Sequence, residues 1–318
     1  MTIALVGRRL TASGYIGRMR GYFAEMLPLP RHLLEAALIY LGIALFARDV
    51  HHVQPPLLSR YTVIGVWSVF SVWLILRLMD ELKDRDIDRQ LFPERPLPAG
   101  RVLEADIRLS LVAAIAVYLL ASLAAGRAFW TALVVLGYMT LMFRLFFVPD
   151  LLRRSLMLSL VTHTPILPLM ILQGFAIFAA ESGLGLSGLA WSLVVPYVIM
   201  VWSVHAAWEF ARKIRRPADE TDYVTYSSVL GPARAVWLAA ATQMVTVTAA
   251  LYLFVVLRLS WPYLALVVFA FALMAWTYHR FLRTDDPRFR RLRPYAEVFA
   301  LSVLAAQVGE FAWRLSGR

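Results

Sequence analysis

The stretch Tyr61–Gly100, "YTVIGVWSVFSVWLILRLMDELKDRDIDRQLFPERPLPAG", sets two unlike chemistries side by side. Tyr61 to Met79 is apolar except for a few polar groups and Arg77. At a rise of about 1.5 Å per residue, a helix of that length crosses the roughly 30 Å of hydrocarbon in a bilayer. Six acidic side chains follow between Asp80 and Glu94. The stretch therefore predicts a membrane-spanning helix that delivers carboxylates to the membrane border.

The rest of the chain agrees with the first half of that stretch. Its 318 residues are 60% hydrophobic, 13% aromatic and only 17% charged, with a mean hydropathy of +0.65. That is too apolar for a soluble domain and reads as a polytopic membrane protein. There is no cysteine, which excludes disulfides, thiolate metal sites, c-type haem and cysteine catalysis. Apolar runs of spanning length fall at about 31–47, 61–80, 105–125, 128–148, 154–180, 190–211, 232–257, 262–282 and 295–315, predicting an all-α bundle of nine transmembrane helices. Residues 31–318 form one such domain. Residues 1–30 are too interrupted for a cleavable signal and predict a basic amphipathic segment on the membrane surface.

The basic residues orient the bundle. Of the 32 Lys and Arg, only Arg48, Arg60, Arg127, Arg258, Arg314 and Arg318 fall at one set of helix ends, and Arg77 lies within a span. The others collect at the opposite ends, which the positive-inside rule makes cytoplasmic. The net charge of +11 is thus topology and not a nucleic-acid footprint. A multi-pass cell-membrane protein follows, and its arginine-rich, lysine-poor, cysteine-free composition suggests a bacterial inner membrane. Two acidic segments, 81–104 and 209–231, both lie on the cytoplasmic side.

On a helix advancing 100° per residue, Glu81, Asp84 and Asp88 share a narrow stripe, Asp80 lies at its edge and Asp86 points away. Such a stripe repels itself unless cations sit within it. Oxygen ligands at this spacing suit Mg²⁺, which bridges carboxylates to phosphates; a solvated acidic loop is the plainer alternative. Arg77 falls on the same stripe one turn deeper. It can neutralise Glu81 as a structural ion pair or fork onto a phosphate. In the second segment His205, Glu209, Arg212, Lys213 and Arg216 share a helical face until Pro217, with Asp219, Glu220 and Asp222 beyond it. This mixed site reads either as a Glu209–Lys213 i,i+4 pair with border arginines or as an anion and metal site. His163, Gln173, Gln307 and Glu310 are polar groups at membrane depth, open to structural or functional roles.

The stretch "DELKDRDID" followed by "RPLPAG" resembles the first motif of the UbiA superfamily of intramembrane prenyltransferases. That motif is an Asn-Asp-x-x-Asp-x-x-x-Asp run leading to Arg-Pro-Leu-Pro-x-Gly. Glu81, Asp84 and Asp88 match its acids and Arg95 to Gly100 match its tail, while Asp80 stands in place of Asn. The second motif resembles the family's only through Glu209, Asp219 and Asp222, with Lys213 and arginines interleaved. "TYSSVLG" looks like the family's entry to the seventh helix.

The resemblance implies a bundle with a central cavity opening near the cytoplasmic face. An isoprenyl diphosphate would bind between the two motifs with Mg²⁺ held by Asp80, Glu81, Asp84, Asp88, Glu209, Asp219 and Asp222. Arg77, Arg95, Arg153, Arg154, Arg212 and Lys213 would bind the diphosphate, Asp84, Asp88, Glu209 and Lys213 would serve catalysis, and His163 and His205 would border a lipophilic or aromatic acceptor. The altered second motif keeps open a terpene cyclase that uses the same diphosphate without an acceptor. A transporter is a further alternative, although its charges belong near the midplane.

Overall fold

The structure, a computed structural model, describes residues 12–317, with only the backbone of Ala12, Ser13 and Arg153. The first eleven residues of the expected surface segment, and Arg318, lie outside the described residues. The described chain is helical throughout: α1 Ala12–Met26, α2 Leu29–His51, α3 Arg60–Lys83, α4 Arg85–Leu91, α5 Glu104–Ala124, α6 Phe129–Phe143, α7 Pro149–Arg154, α8 Leu156–His163, α9 Ile166–Ser182, α10 Trp191–Arg212, α11 Tyr226–Leu230, α12 Pro232–Leu257, α13 Trp261–Arg283 and α14 Arg293–Ser316. Local chemistry sets many starts. Ser59 accepts hydrogen bonds from the Tyr61 and Thr62 amides to cap α3, and Ser260 does the same for α13 through Tyr263. Pro232 opens α12 where its missing N–H costs nothing.

Eight helical segments among the described residues are long and apolar enough to cross a membrane. The remaining expected span, α2, has the length at 23 residues but carries Arg31, Glu35, Arg48 and Asp49. It is nonetheless an interior helix: Ile39, Tyr40, Ile43, Phe46 and Ala47 are fully buried, and it packs on α3, α9 and α14. A helix enclosed by protein tolerates charge that a lipid-facing one does not.

Two expectations need correction. The run 154–180 starts at Leu156 and is interrupted within: α8 ends at His163 and α9 begins at Ile166, because Pro165 has no N–H to donate, although Thr164 keeps right-handed helical dihedrals and Leu156–Ser182 as a whole is long and apolar enough to span. The run 128–148 stops at Phe143, and the chain turns through Leu145, Phe146 and Phe147 with φ of 48°, 50° and 60°. Left-handed backbone costs such residues roughly 1 kcal/mol or more each, and Phe146 packs edge-on against His163 from that position.

Helix α1 is docked on the bundle. Met19 and Tyr22 are buried, Arg18 binds Asp106 of α5 at 2.6 and 2.7 Å, and Glu25 binds Arg101 at 2.6 and 3.0 Å. A cavity of about 300 Å³ separates Gly17, Gly21 and Tyr22 from Pro96 and Val102. A larger one of about 590 Å³ is lined by Tyr15, Ile16, Met19 and Phe23 of α1 and by Pro28 to Pro30.

Candidate active site

Helices α3 and α10 run towards the same end of the bundle and carry the two acidic segments there. The expected single stripe is interrupted, since α3 ends at Lys83 and Asp84 caps it with φ −98° and ψ 11°. The short helix α4 then restores the direction. The outcome for the side chains is nearly the same: Glu81 and Asp88 are buried, Asp84 is half-buried and Asp86 faces outward.

Each inward carboxylate has a distinct environment. Glu81 is bound by Arg77 through one oxygen, while its Oε2 and the Arg77 Nε are buried without a hydrogen-bond partner. Tyr22 of α1 lies against this pair, and burial holds its phenol well above the ordinary range, with Arg77 opposing. Asp88 takes Arg95 Nη1 on both oxygens at 2.8 Å, and Asp80 takes Lys83 at 2.7 Å. Asp84, among the described residues, is the one carboxylate between 80 and 88 with no basic partner in ion-pair range. Burial pushes its carboxyl up to about 6; Lys83 opposes the shift and Asp80 and Asp88 add to it.

The second wall is more cationic. Glu209 is held by Arg212 at 2.5 and 2.9 Å and by Lys213 at 3.1 Å, so the expected i,i+4 pair exists and has a third member. Helix α10 ends at Arg212, not at Pro217. Arg216 is therefore carried off the shared face, and donates to the Thr284 carbonyl at 2.6 Å. Asp219 is drawn away by Arg290, which holds its carboxyl below the usual range. Asp222 is exposed. Glu220 instead closes the loop by accepting from Thr225 at 2.7 and 2.9 Å and Ser227 at 2.6 Å.

The two segments meet. Phe92, under the Arg95 guanidinium at 3.9 Å, packs edge-on against Tyr223 at 5.7 Å, and Tyr223 lies 6.0 Å beneath the Lys213 ammonium. His163, placed by the break after α8, is close enough to feel Lys83, Asp80 and Lys213 at once, and its Nδ1 donates to the Ser159 carbonyl at 2.7 Å. Deeper by one turn on each wall, Trp73 stacks on His205 at 5.8 Å. Arg154 is exposed, and the Arg153 side chain lies outside the described residues. Gln173 is occupied with Tyr118 at 2.9 Å. Glu310 accepts from the Ser260 amide at 2.9 Å, and Gln307 is buried without a hydrogen-bond partner; both stand in the half of α14 far from the motifs.

A model of the UbiA prenyltransferase family matches residues 36–302, most of the chain. The chain belongs to the UbiA prenyltransferase family. Its fold is similar to that of a digeranylgeranylglyceryl phosphate synthase, with a TM-score of 0.61 and 14% identity over 93% of this chain and 99% of that one. It is similar also to a UbiA homologue from Aeropyrum pernix K1 solved in its apo form, with a TM-score of 0.62 and 15% identity over 88% and 98% of the two chains. Among curated proteins none matches in sequence. The chain is thus an intramembrane protein of the prenyltransferase kind, whose family implies an isoprenyl diphosphate substrate.

Divalent-cation chemistry was expected from the first segment. Glu81 Oε2 is a buried acceptor without a donor, and Asp84 is a desolvated carboxylate without a cation; hard oxygen donors of this kind fit Mg²⁺. The second segment offers less. In neither segment, nor elsewhere among the described residues, do three His, Asp or Glu side chains gather in a cluster that could hold a metal; Arg77, Lys83 and Arg95 hold Glu81, Asp80 and Asp88 in the first, and Arg212 and Lys213 hold Glu209 in the second. Three residues escaped sequence reasoning: Tyr22, Trp73 and Glu35. Glu35, a lone acid in "LLEAALIY", gave the signal that marked Arg77, an ionisable group in an apolar run.

Proposed function

We propose that the protein is a Mg²⁺-dependent prenyltransferase that ionises an isoprenyl diphosphate between its two charged walls and passes the prenyl group to a lipophilic or aromatic acceptor. The observation that carries this reading is the clasp of Arg95, Phe92, Tyr223 and Lys213. It brings a carboxylate-rich wall and a cation-rich wall together at one end of an apolar bundle. By the positive-inside rule that end is cytoplasmic.

The partnerless Arg77 Nε–H, with Arg95, Arg212 and Lys213, is suited to bind phosphate oxygens, since guanidinium groups fork onto phosphate. Asp84 and Asp88, with Glu81 and Asp80 beside them, would hold Mg²⁺, which when bound supplies Lewis-acid stabilisation of the leaving diphosphate. Cationic side chains in a desolvated site stabilise the charge developing on that group as the carbon–oxygen bond lengthens. The apolar interior excludes water from the allylic cation, and Trp73 offers an aromatic face for it.

The cation-rich second wall also supports cyclisation without an acceptor, because Glu209 is the one inward carboxylate there and it is doubly paired. The test is incubation of purified protein with Mg²⁺ and isoprenyl diphosphates of several lengths. Diphosphate release that needs an added acceptor supports transfer. A cyclic hydrocarbon or terpene alcohol formed from the diphosphate alone overturns transfer in favour of cyclisation, and no diphosphate release at all overturns both.

A further inference from the structure

Any way of ending the reaction produces a proton. The C1–O bond breaks with its electron pair on the diphosphate oxygen and leaves an allylic cation. An acceptor X–H that attacks C1 loses its proton as the X–C bond forms. A cation that closes to an alkene loses a proton from carbon as that C–H pair becomes the double bond, and attack by water releases one proton and gives the alcohol. A base must receive that proton, whichever outcome holds.

The carboxylates of the charged layer are poorly free for this task. Glu81, Asp88, Asp80 and Glu209 are already held by Arg or Lys, and Asp84 is the residue suited to the metal. His205 lies one turn below Glu209. Its Nδ1 is 2.8 Å from the Val201 carbonyl oxygen, and because a carbonyl only accepts, Nδ1 carries the hydrogen. Nε2 is therefore the basic atom. It is buried with no hydrogen-bond partner, and Glu35 Oε1 of α2 faces it at 3.6 Å. Arg31 and His32, on the same helix as Glu35, are the other charged or titratable groups near that carboxylate, and Arg31 is engaged with Glu297 at 2.8 Å.

We propose that His205 Nε2 is the proton acceptor of the quenching step and that Glu35 positions it and offsets its charge. The inference rests on the prenyl-diphosphate reading above. With a proton on Nε2 the pair is an imidazolium facing a carboxylate, so a proton enters the low-dielectric interior without adding net positive charge to an uncompensated site. The depth is appropriate as well. Trp73 stands one turn below Arg77 as His205 stands one turn below Glu209, so the stacked rings lie just beneath the layer that would hold the phosphates, where C1 begins. His205 is thus assigned a catalytic role and Glu35 a positioning one.

The experiment uses the full protein in nanodiscs with Mg²⁺, water as the acceptor, and geranylgeranyl diphosphate bearing ¹⁸O at the bridging position. Migration of the label to non-bridging oxygens reports ionisation followed by recapture. Inorganic diphosphate with prenyl alcohol or hydrocarbon reports quenching. His205→Gln should lower net product about 100-fold, the lower range for loss of a general base, while label migration persists. Glu35→Gln should lower it about tenfold, with Glu35→Asp recovering part.

In the absence of Mg²⁺, ¹⁵N-histidine NMR should find His205 protonated at Nδ1 and its Nε2 signal moved by Glu35→Gln. Product and label migration falling together, an unaffected His205→Gln, or an Nε2 signal indifferent to Glu35 would overturn the assignment. A wild-type protein that neither migrates label nor releases diphosphate overturns the prenyl-diphosphate reading itself. Migration with an unaffected His205→Gln overturns only the base.

Discussion

Replacing Asp84 by Asn should make the apo protein more stable at neutral pH while removing its activity. The carboxyl titrates near 6 in the fold against an ordinary 3.8. An acid whose pKa is raised on folding favours the folded state when protonated. That contribution is complete below about 3.8, is lost as pH rises towards 6, and leaves a constant penalty above. A difference of that size corresponds to about 3 kcal/mol, and solvent screening of a half-buried group reduces this to roughly 1–2 kcal/mol. The Asp84→Asn side chain, which cannot ionise, carries no such penalty. In EDTA the variant's unfolding temperature should exceed that of the wild type by about 2–6 °C at pH 7.5, with the difference vanishing near pH 4. Thermal unfolding in nanodiscs followed by intrinsic fluorescence measures this. The same scans test the cation: added Mg²⁺ should stabilise the wild type by mass action and the variant much less. An Asp84→Asn protein that melts lower than wild type at pH 7.5, or that keeps the full Mg²⁺ response, would refute both the strained carboxylate and its assignment to the metal.

Asp86→Ala should leave diphosphate release within about twofold of wild type, since that side chain is 76% exposed and surface changes cost little; a dead variant would place Asp86 in the site. Glu209→Gln and Lys213→Met should couple by roughly 0.5–3 kcal/mol in kcat/KM, as contacting residues do, and an additive cycle would show that the two act separately. Gly65→Ala should cost roughly 1–3 kcal/mol in denaturant unfolding, because a Cβ there would overlap the buried ring of Tyr40; unchanged stability would mean that α2 and α3 do not approach so closely.

Much of the bundle was legible because a span is a local property. The run 232–257 coincides with α12 and 190–211 with α10 to within a residue, since about twenty apolar positions in a row admit one solution in a bilayer. What failed was decided elsewhere. Pro165 and Pro168 were visible, but that the chain breaks at the first of them and places His163 beside Lys83 and Lys213 depends on helices remote in sequence. Helix α2 carries Arg31, Glu35, Arg48 and Asp49 and still lies in the interior against α3, α9 and α14, which follows from packing and not from hydropathy. That Ala12–Met26, part of the expected surface segment, is anchored through Asp106 and Arg101 was likewise out of reach of local reading, because those partners lie 88 and 76 residues away.

The site divides in the same manner. Spacing alone sends Glu81, Asp84 and Asp88 inward and Asp86 outward, and the kink at Asp84 changes the path without changing that sorting. Spacing could not tell a carboxylate that is free from one that is spent. Asp219 looked equivalent to Asp84 in the sequence, but Arg290, 71 residues on, takes it, whereas Asp84 is left desolvated among other carboxylates. A group with no cation of its own is the one that gains most from binding one. The same reasoning separates Glu209, doubly paired, from Glu35, which faces an imidazole with a fixed tautomer. The acids already neutralised by arginine and lysine shape the charged mouth, and Asp84 at the rim and Glu35 a turn below it, which neither holds, are where a cation and a proton have somewhere to go.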